Sequence, residues 1–144
     1  MKTAPKKILV SLKQAGDAEE LIGLATHVAA PGRAEITVLH VVEIPAATPL
    51  DAEDEVLEAP ARAVEQAVKR LARKHRRRKF SVRILRARHA GKAMVDELKE
   101  GRFDLAVIGY HHKRSLPELL LGTTAQYLAT HAPCRLLMSV PPRN

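Results

Sequence analysis

Five short runs of β-branched and aliphatic residues alternate along this chain with stretches whose apolar residues recur at helical spacing. The runs are KILVSL (7–12), AEITVLHVV (34–42), FSVRIL (80–85), DLAVIG (104–109) and RLLMSV (135–140). No other feature restricts the possible folds as strongly. The first, second and fourth runs are almost continuously apolar, as strands covered on both faces are. FSVRIL alternates Val82 and Ile84 with Arg83, which predicts a place nearer a sheet edge. Strict alternation of strands and helices within 144 residues implies crossovers and a parallel sheet. The expected architecture is one α/β domain over residues 1–144. Its sheet is five-stranded and mainly parallel, with helices on both faces.

The helical stretches carry start and stop signals. Asp17, with Glu20 three residues on, predicts a capping box ahead of the stripe Leu21, Leu24, Ala25, Val28, and Pro31-Gly32 closes that helix. A second helix carries Val64, Val68, Leu71 and His75 on one face, with Pro60 either starting it or breaking a longer one. A third, around KAMVDELKE, stops at Gly101. The fourth follows Gly122, with Thr123 or Thr124 as its cap, and ends before Pro133. The stretch EIPAATPLDAEDE (43–55) has two prolines and a run of acids, and is expected to be the most mobile segment. Ligands of such sheets sit at the carboxyl ends of the strands. That directs attention to the loops after Leu12, Val42, Leu85 and Gly109.

Composition excludes several classes. No apolar run approaches the roughly 18 residues needed to span a bilayer, and the N-terminal stretch reads as a first strand rather than a signal peptide. The lone Cys134 leaves no partner for an intramolecular disulfide and is expected to be packed rather than reactive. A cytoplasmic location follows as the expectation. The formal net charge of +8 is matched by KRLARKHRRRK (69–79), which holds eight Lys/Arg and no acid. This run follows the acidic stretch DAEDEVLE, the order that the helix dipole favours, so a solvated helix tail is expected and nucleic acid is not. His40, inside an apolar strand, reads as a satisfied core residue. His89, His111 and His112 lack the spacing of a metal motif, and no nucleophile–base–orienter set can be assembled.

The loop between the fourth strand and the last helix, GYHHKRSLPELLLGTT (109–124), offers a ligand site. Gly109 lets a ligand approach the backbone at a strand end, and Gly122-Thr123-Thr124 opens a helix whose free N–H groups suit an anion. The segment DLAVIGYHHKRSLPELLLGTTAQYLATHAPCRLLMSV resembles the C-terminal signature of the universal stress protein family. The likeness extends to KKILVSL and ITVLHVV, so it covers essentially the whole chain. It implies a Rossmann-like domain of the adenine nucleotide alpha hydrolase-like kind and a homodimer formed through the C-terminal strand. It also implies a non-catalytic stress-response or regulatory role.

Nucleotide-binding members of that family carry G-x2-G-x9-G-[S/T] after the fourth strand. Here the outer positions are kept as Gly109, Gly122 and Thr123, while His112 stands at the middle glycine. The acid that usually ends the first strand is Lys13, and the family's proline before it is Ser11. The resemblance assigns Val41 to the adenine through its backbone, and Gly109, Gly122, Thr123 and Thr124 to the phosphates. Lys13, His112 and Lys113 would modify the site's preference. One reading retains ATP or AMP, with no metal beyond a nucleotide-associated Mg. In the other, His112 fills the site, and the chain is a dimeric interaction module regulating a partner protein or transporter.

Overall fold

The computed structural model describes residues 3–76, 78–110 and 122–142. The chain runs β1 (Lys7–Ser11), a single 3₁₀ turn (Ala15–Asp17), α1 (Ala18–Val28), β2 (Glu35–Glu43) and α2 (Glu55–Lys74). It continues through β3 (Lys79–Ala87), α3 (Ala90–Glu100), β4 (Leu105–Gly109), α4 (Thr123–His131) and β5 (Arg135–Ser139). All pairs are parallel and the sheet order is β3-β2-β1-β4-β5. The expected five-stranded parallel sheet is therefore present, with the alternating FSVRIL run at one edge and RLLMSV at the other.

The twofold period of the strands sorts their side chains onto two faces. Ile8, Val10, Ile36, Val38, Leu105 and Val107 pack against α1 and α2 through Leu21, Ile22, Ala25, Val64 and Val68. Leu9, Leu39, Ala106 and Ile108 pack on the opposite face against Met94, Val95 and Leu98 of α3 and Leu128 of α4. Each such buried aliphatic side chain contributes about 1.5–3 kcal/mol. His40 is buried, as expected, and its Nδ1 lies 2.7 Å from the carbonyl oxygen of Leu12.

Several local expectations are corrected. Asp17 already has helical dihedrals (φ −89°, ψ −7°) and its side chain makes no capping bond, because the 3₁₀ turn leads straight into α1. Glu20 instead accepts a 2.8 Å hydrogen bond from the Ser139 hydroxyl on β5. α2 begins at Asp54, whose carboxylate accepts from Val56 N–H at 2.9 Å, and Pro60 neither starts nor breaks it. Proline there removes one bond to the Val56 carbonyl, and Val56 is 82% exposed, so water can serve that oxygen. Thr123 and Thr124 do not cap α4. Gly122 holds the cap position and they are the first two helical residues. The 43–55 segment is tied to β3: Arg86 donates to the carbonyls of Leu50 and Ala52, and Arg88 to those of Pro45 and Thr48.

Candidate functional site

The carboxyl end of the sheet is uneven, and that unevenness makes room. β1 and β2 pair from Lys7↔Glu35 to Ser11↔Leu39, and the Leu12 N–H closes the ladder on the Leu39 carbonyl at 2.9 Å. β2 then runs on to Glu43 beside β3 alone, with Glu43 opposite Ala87. In a parallel ladder the peptide groups of alternate residues point to the same neighbour. The Leu39 carbonyl faces β1 and the Ile44 N–H faces β3, where it bonds the Ala87 carbonyl at 2.8 Å. Val41 shares the parity of Leu39, so its N–H and C=O point over the end of β1, past the last β1–β2 pair. Lys13 is exposed just beyond that end. The buried His40 contact to Leu12 holds the strand end that carries it.

Next to this overrun lies an open cleft of about 330 Å³ between the first turns of α3 and α4. Thr123 and Thr124 line one side, and His89, Ala90, Gly91 and Lys92 the other. Glu43 and Tyr127 complete it. Two helix starts facing one space offer several backbone N–H groups without intrahelical partners. Gly91 packs closely on α4: a Cβ there would sit 3.0 Å from the Tyr127 side chain. Tyr127 in turn stacks on His131, with ring centroids 4.2 Å apart.

The expected site residues thus divide. Thr123 and Thr124 line the cleft, and Gly122 precedes them as the α4 cap, with no atom of a described residue other than its chain neighbour within 4 Å of where a Cβ would stand. Val41 and Lys13 border the β2 overrun. Gly109 ends β4 opposite Ser139, and an added Cβ would lie 3.2 Å from Leu21 Cδ1. A side chain there would need the end of Leu21 on the α1 face to shift by a few tenths of an ångström. His112 and Lys113, with His111, lie outside the described residues.

Glu43, Gly91 and Lys92 carry no site signal in the sequence, where His89 reads only as a metal-ligand candidate. The carboxyl-end rule marks the loop after β3, but nothing local in His89-Ala90-Gly91-Lys92 signals that α4 will face it. Among the described residues no group of three or more His, Cys, Asp or Glu is placed to hold a metal. Cys134 is half-buried, and its thiol is pushed upward by burial and then by the nearby Asp104 carboxylate, which keeps it protonated at neutral pH. None of the described helices is long and apolar enough to cross a membrane.

The comparisons agree with this architecture. The model of the universal stress protein family matches residues 5–140. Universal stress protein UspA from Lactobacillus plantarum superposes with a TM-score of 0.72 at 23% identity, covering 92% of this chain and 96% of that one. The universal stress protein from Archaeoglobus fulgidus in complex with dAMP gives 0.66 at 20% identity, covering 94% and 98%. A family member from Arabidopsis thaliana with AMP bound gives 0.58 at 17% identity, covering 96% and 93%. No curated protein sequence is similar enough to count as a match. With the family model spanning nearly the whole sequence and the same fold in these structures, the chain belongs to the universal stress protein family.

Proposed function

We propose that this protein is a stress-response or regulatory module, not an enzyme, that binds ATP or AMP at the carboxyl end of its sheet. The observation that carries the reading is the overrun of β2. It directs one N–H and one C=O of Val41 past the end of the β1–β2 ladder, a pair that matches the acceptor and donor on the edge of adenine. The N–H groups at the start of α4, with the Thr123 and Thr124 hydroxyls, take the phosphates alongside Gly109 and Gly122. Lys13 and His112 stand where the family's nucleotide-binding members have a carboxylate and a glycine, and with Lys113 they modify the site's preference. Any magnesium would arrive with the nucleotide. The dAMP and AMP complexes of similar chains support this class of ligand. The protein acts in the cytoplasm as a homodimer through β5, whose half-buried Leu136, Leu137 and Met138 lie on an edge strand that needs cover.

The test is titration with ATP, AMP and cyclic AMP, followed by calorimetry and thermal shift. At a hundred times Kd, a ligand confined to the folded state stabilises it by about 2.7 kcal/mol. No stabilisation at millimolar nucleotide would sink the proposal. The His112→Gly variant then asks whether the side chain closes the site, in which case its affinity rises. The second reading is a nucleotide-free dimer that regulates a partner protein or transporter. Unchanged dimerisation with no nucleotide effect in either form is its signature.

A further inference from the structure

Of the basic run 69–79 only residues 69–74 belong to α2, and the fold gathers further cations around that helix end. In a parallel α/β sheet every strand start and every helix C-terminus lie at the same end. Here that end carries Lys6 before β1, Arg33 in the α1–β2 turn, Arg73 and Lys74 closing α2, Arg102 after α3 and Arg135 opening β5, all exposed. The registers Lys7↔Glu35↔Lys79 and Leu105↔Arg135 align these positions across all five strands. At ~4.8 Å per strand spacing the row is about 19 Å long.

The nearby acids are largely engaged. Asp104 accepts the N–H groups of Lys6 and Lys7, and Glu35 pairs with Lys79 at 3.2 Å, which leaves Glu100. None of the six cationic side chains has a hydrogen-bond or ion-pair partner among the described residues. The helix dipole accounts for Arg73 and Lys74, but Lys6 and Arg135 precede strands, where it gives no reason for a cation.

We propose that this basic end is a docking surface for the phosphate backbone of double-stranded nucleic acid, bound without base readout. A membrane surface fits less well, because among the described residues the exposed large apolar side chains, Leu50, Val56 and Val140, lie towards the opposite end. Single strands fit less well too, since they need stacking platforms. Phe103 is buried, and Phe80 is half-buried with its ring 6.1 Å from His75. The surface lies across the sheet from the nucleotide cleft and stands independently of it.

The test is fluorescence anisotropy with a short labelled DNA duplex at several salt concentrations. With four or five phosphates neutralised, log K falls against log salt with a slope of about −4, and affinity drops roughly 10²- to 10³-fold between about 50 and 200 mM. Arg73→Gln with Lys74→Gln, and separately Lys6→Gln with Arg33→Gln, each flatten the slope by about 1–2, because each lost contact removes about 0.9. Arg62→Gln, near the far end of α2, leaves it unchanged. The proposal is overturned by absence of binding at about 50 mM salt, by an effect confined to the α2 pair, by an equal effect of Arg62→Gln, or by capture on phosphatidylserine vesicles without duplex binding. Circular dichroism monitors folding of each variant. Should one pair unfold the protein, the other pair and the wild-type slope decide.

Discussion

The two ends of the sheet are built differently. At the amino end, side chains close the chain on itself. Asp104 Oδ2 accepts both the Lys6 and Lys7 N–H groups at 2.9 Å, and the Asp104 N–H returns a 2.8 Å bond to the Lys7 carbonyl. Lys7 Nζ bonds the Gly101 carbonyl at 2.5 Å and lies 5.0 Å from the Phe103 ring centroid. Arg78 donates to the carbonyls of Ala30 and Thr26 at the end of α1. At the carboxyl end the strands finish at different heights, and two helix starts face an open cleft. Asp104, Lys7 and Arg78 spend their polar groups on holding the fold, while the cleft keeps backbone donors turned towards solvent. Substitution of Asp104 should therefore cost stability, and substitutions lining the cleft should cost ligand.

Asp104→Ala tests the first half most severely. It removes an acceptor from two backbone donors that hold β1 beside β4, and urea unfolding should show a loss of about 2 kcal/mol with nucleotide affinity unchanged. A stability change within about 0.5 kcal/mol would break the contrast. Thr123→Ala with Thr124→Ala tests the second half. Because neither hydroxyl caps α4, unfolding should move by no more than about 0.5 kcal/mol, while nucleotide affinity falls roughly tenfold, or about 1.4 kcal/mol, in calorimetry. A large stability loss without an affinity change would mean that the start of α4 is structural.

The smallest effect sharpens the amino-end picture. α3 ends in a Schellman motif, with Phe103 N–H on the Leu98 carbonyl (3.2 Å) and Arg102 N–H on the Lys99 carbonyl (3.3 Å). Arg102 sits at φ 54°, the left-handed region that favours glycine, whereas Gly101 one residue earlier is needed because a Cβ would stand 2.3 Å from Phe103 Cε2. Arg102→Gly should therefore raise stability by about 0.4–1 kcal/mol in urea unfolding. The same variant removes one cation from the proposed docking row, so it should also weaken duplex binding slightly.

What the sequence determined alone was everything carried by local period. Continuous apolar runs announced the central strands, the Val82–Arg83–Ile84 alternation announced an edge, and the helical stripes from Leu21 and Val64 announced their buried faces. The helix start at Thr123 and Thr124 was legible because a glycine followed by hydroxyls is a local signal. The capping of α1 was misread, since a 3₁₀ turn at Ala15–Asp17 leaves Asp17 helical, and no pattern in QAGD distinguishes that turn from a cap.

Tertiary structure alone decided the rest. Glu43, His89 and Lys92 meet Thr123 and Thr124 only because α3 and α4 lie side by side on one face. Arg86 and Arg88 hold the 43–55 segment only because β3 lies beside β2. The basic end, too, depends on five strands running the same way. These contacts join residues whose separation in sequence carries no period, so they arise from the crossovers and not from any stretch read by itself.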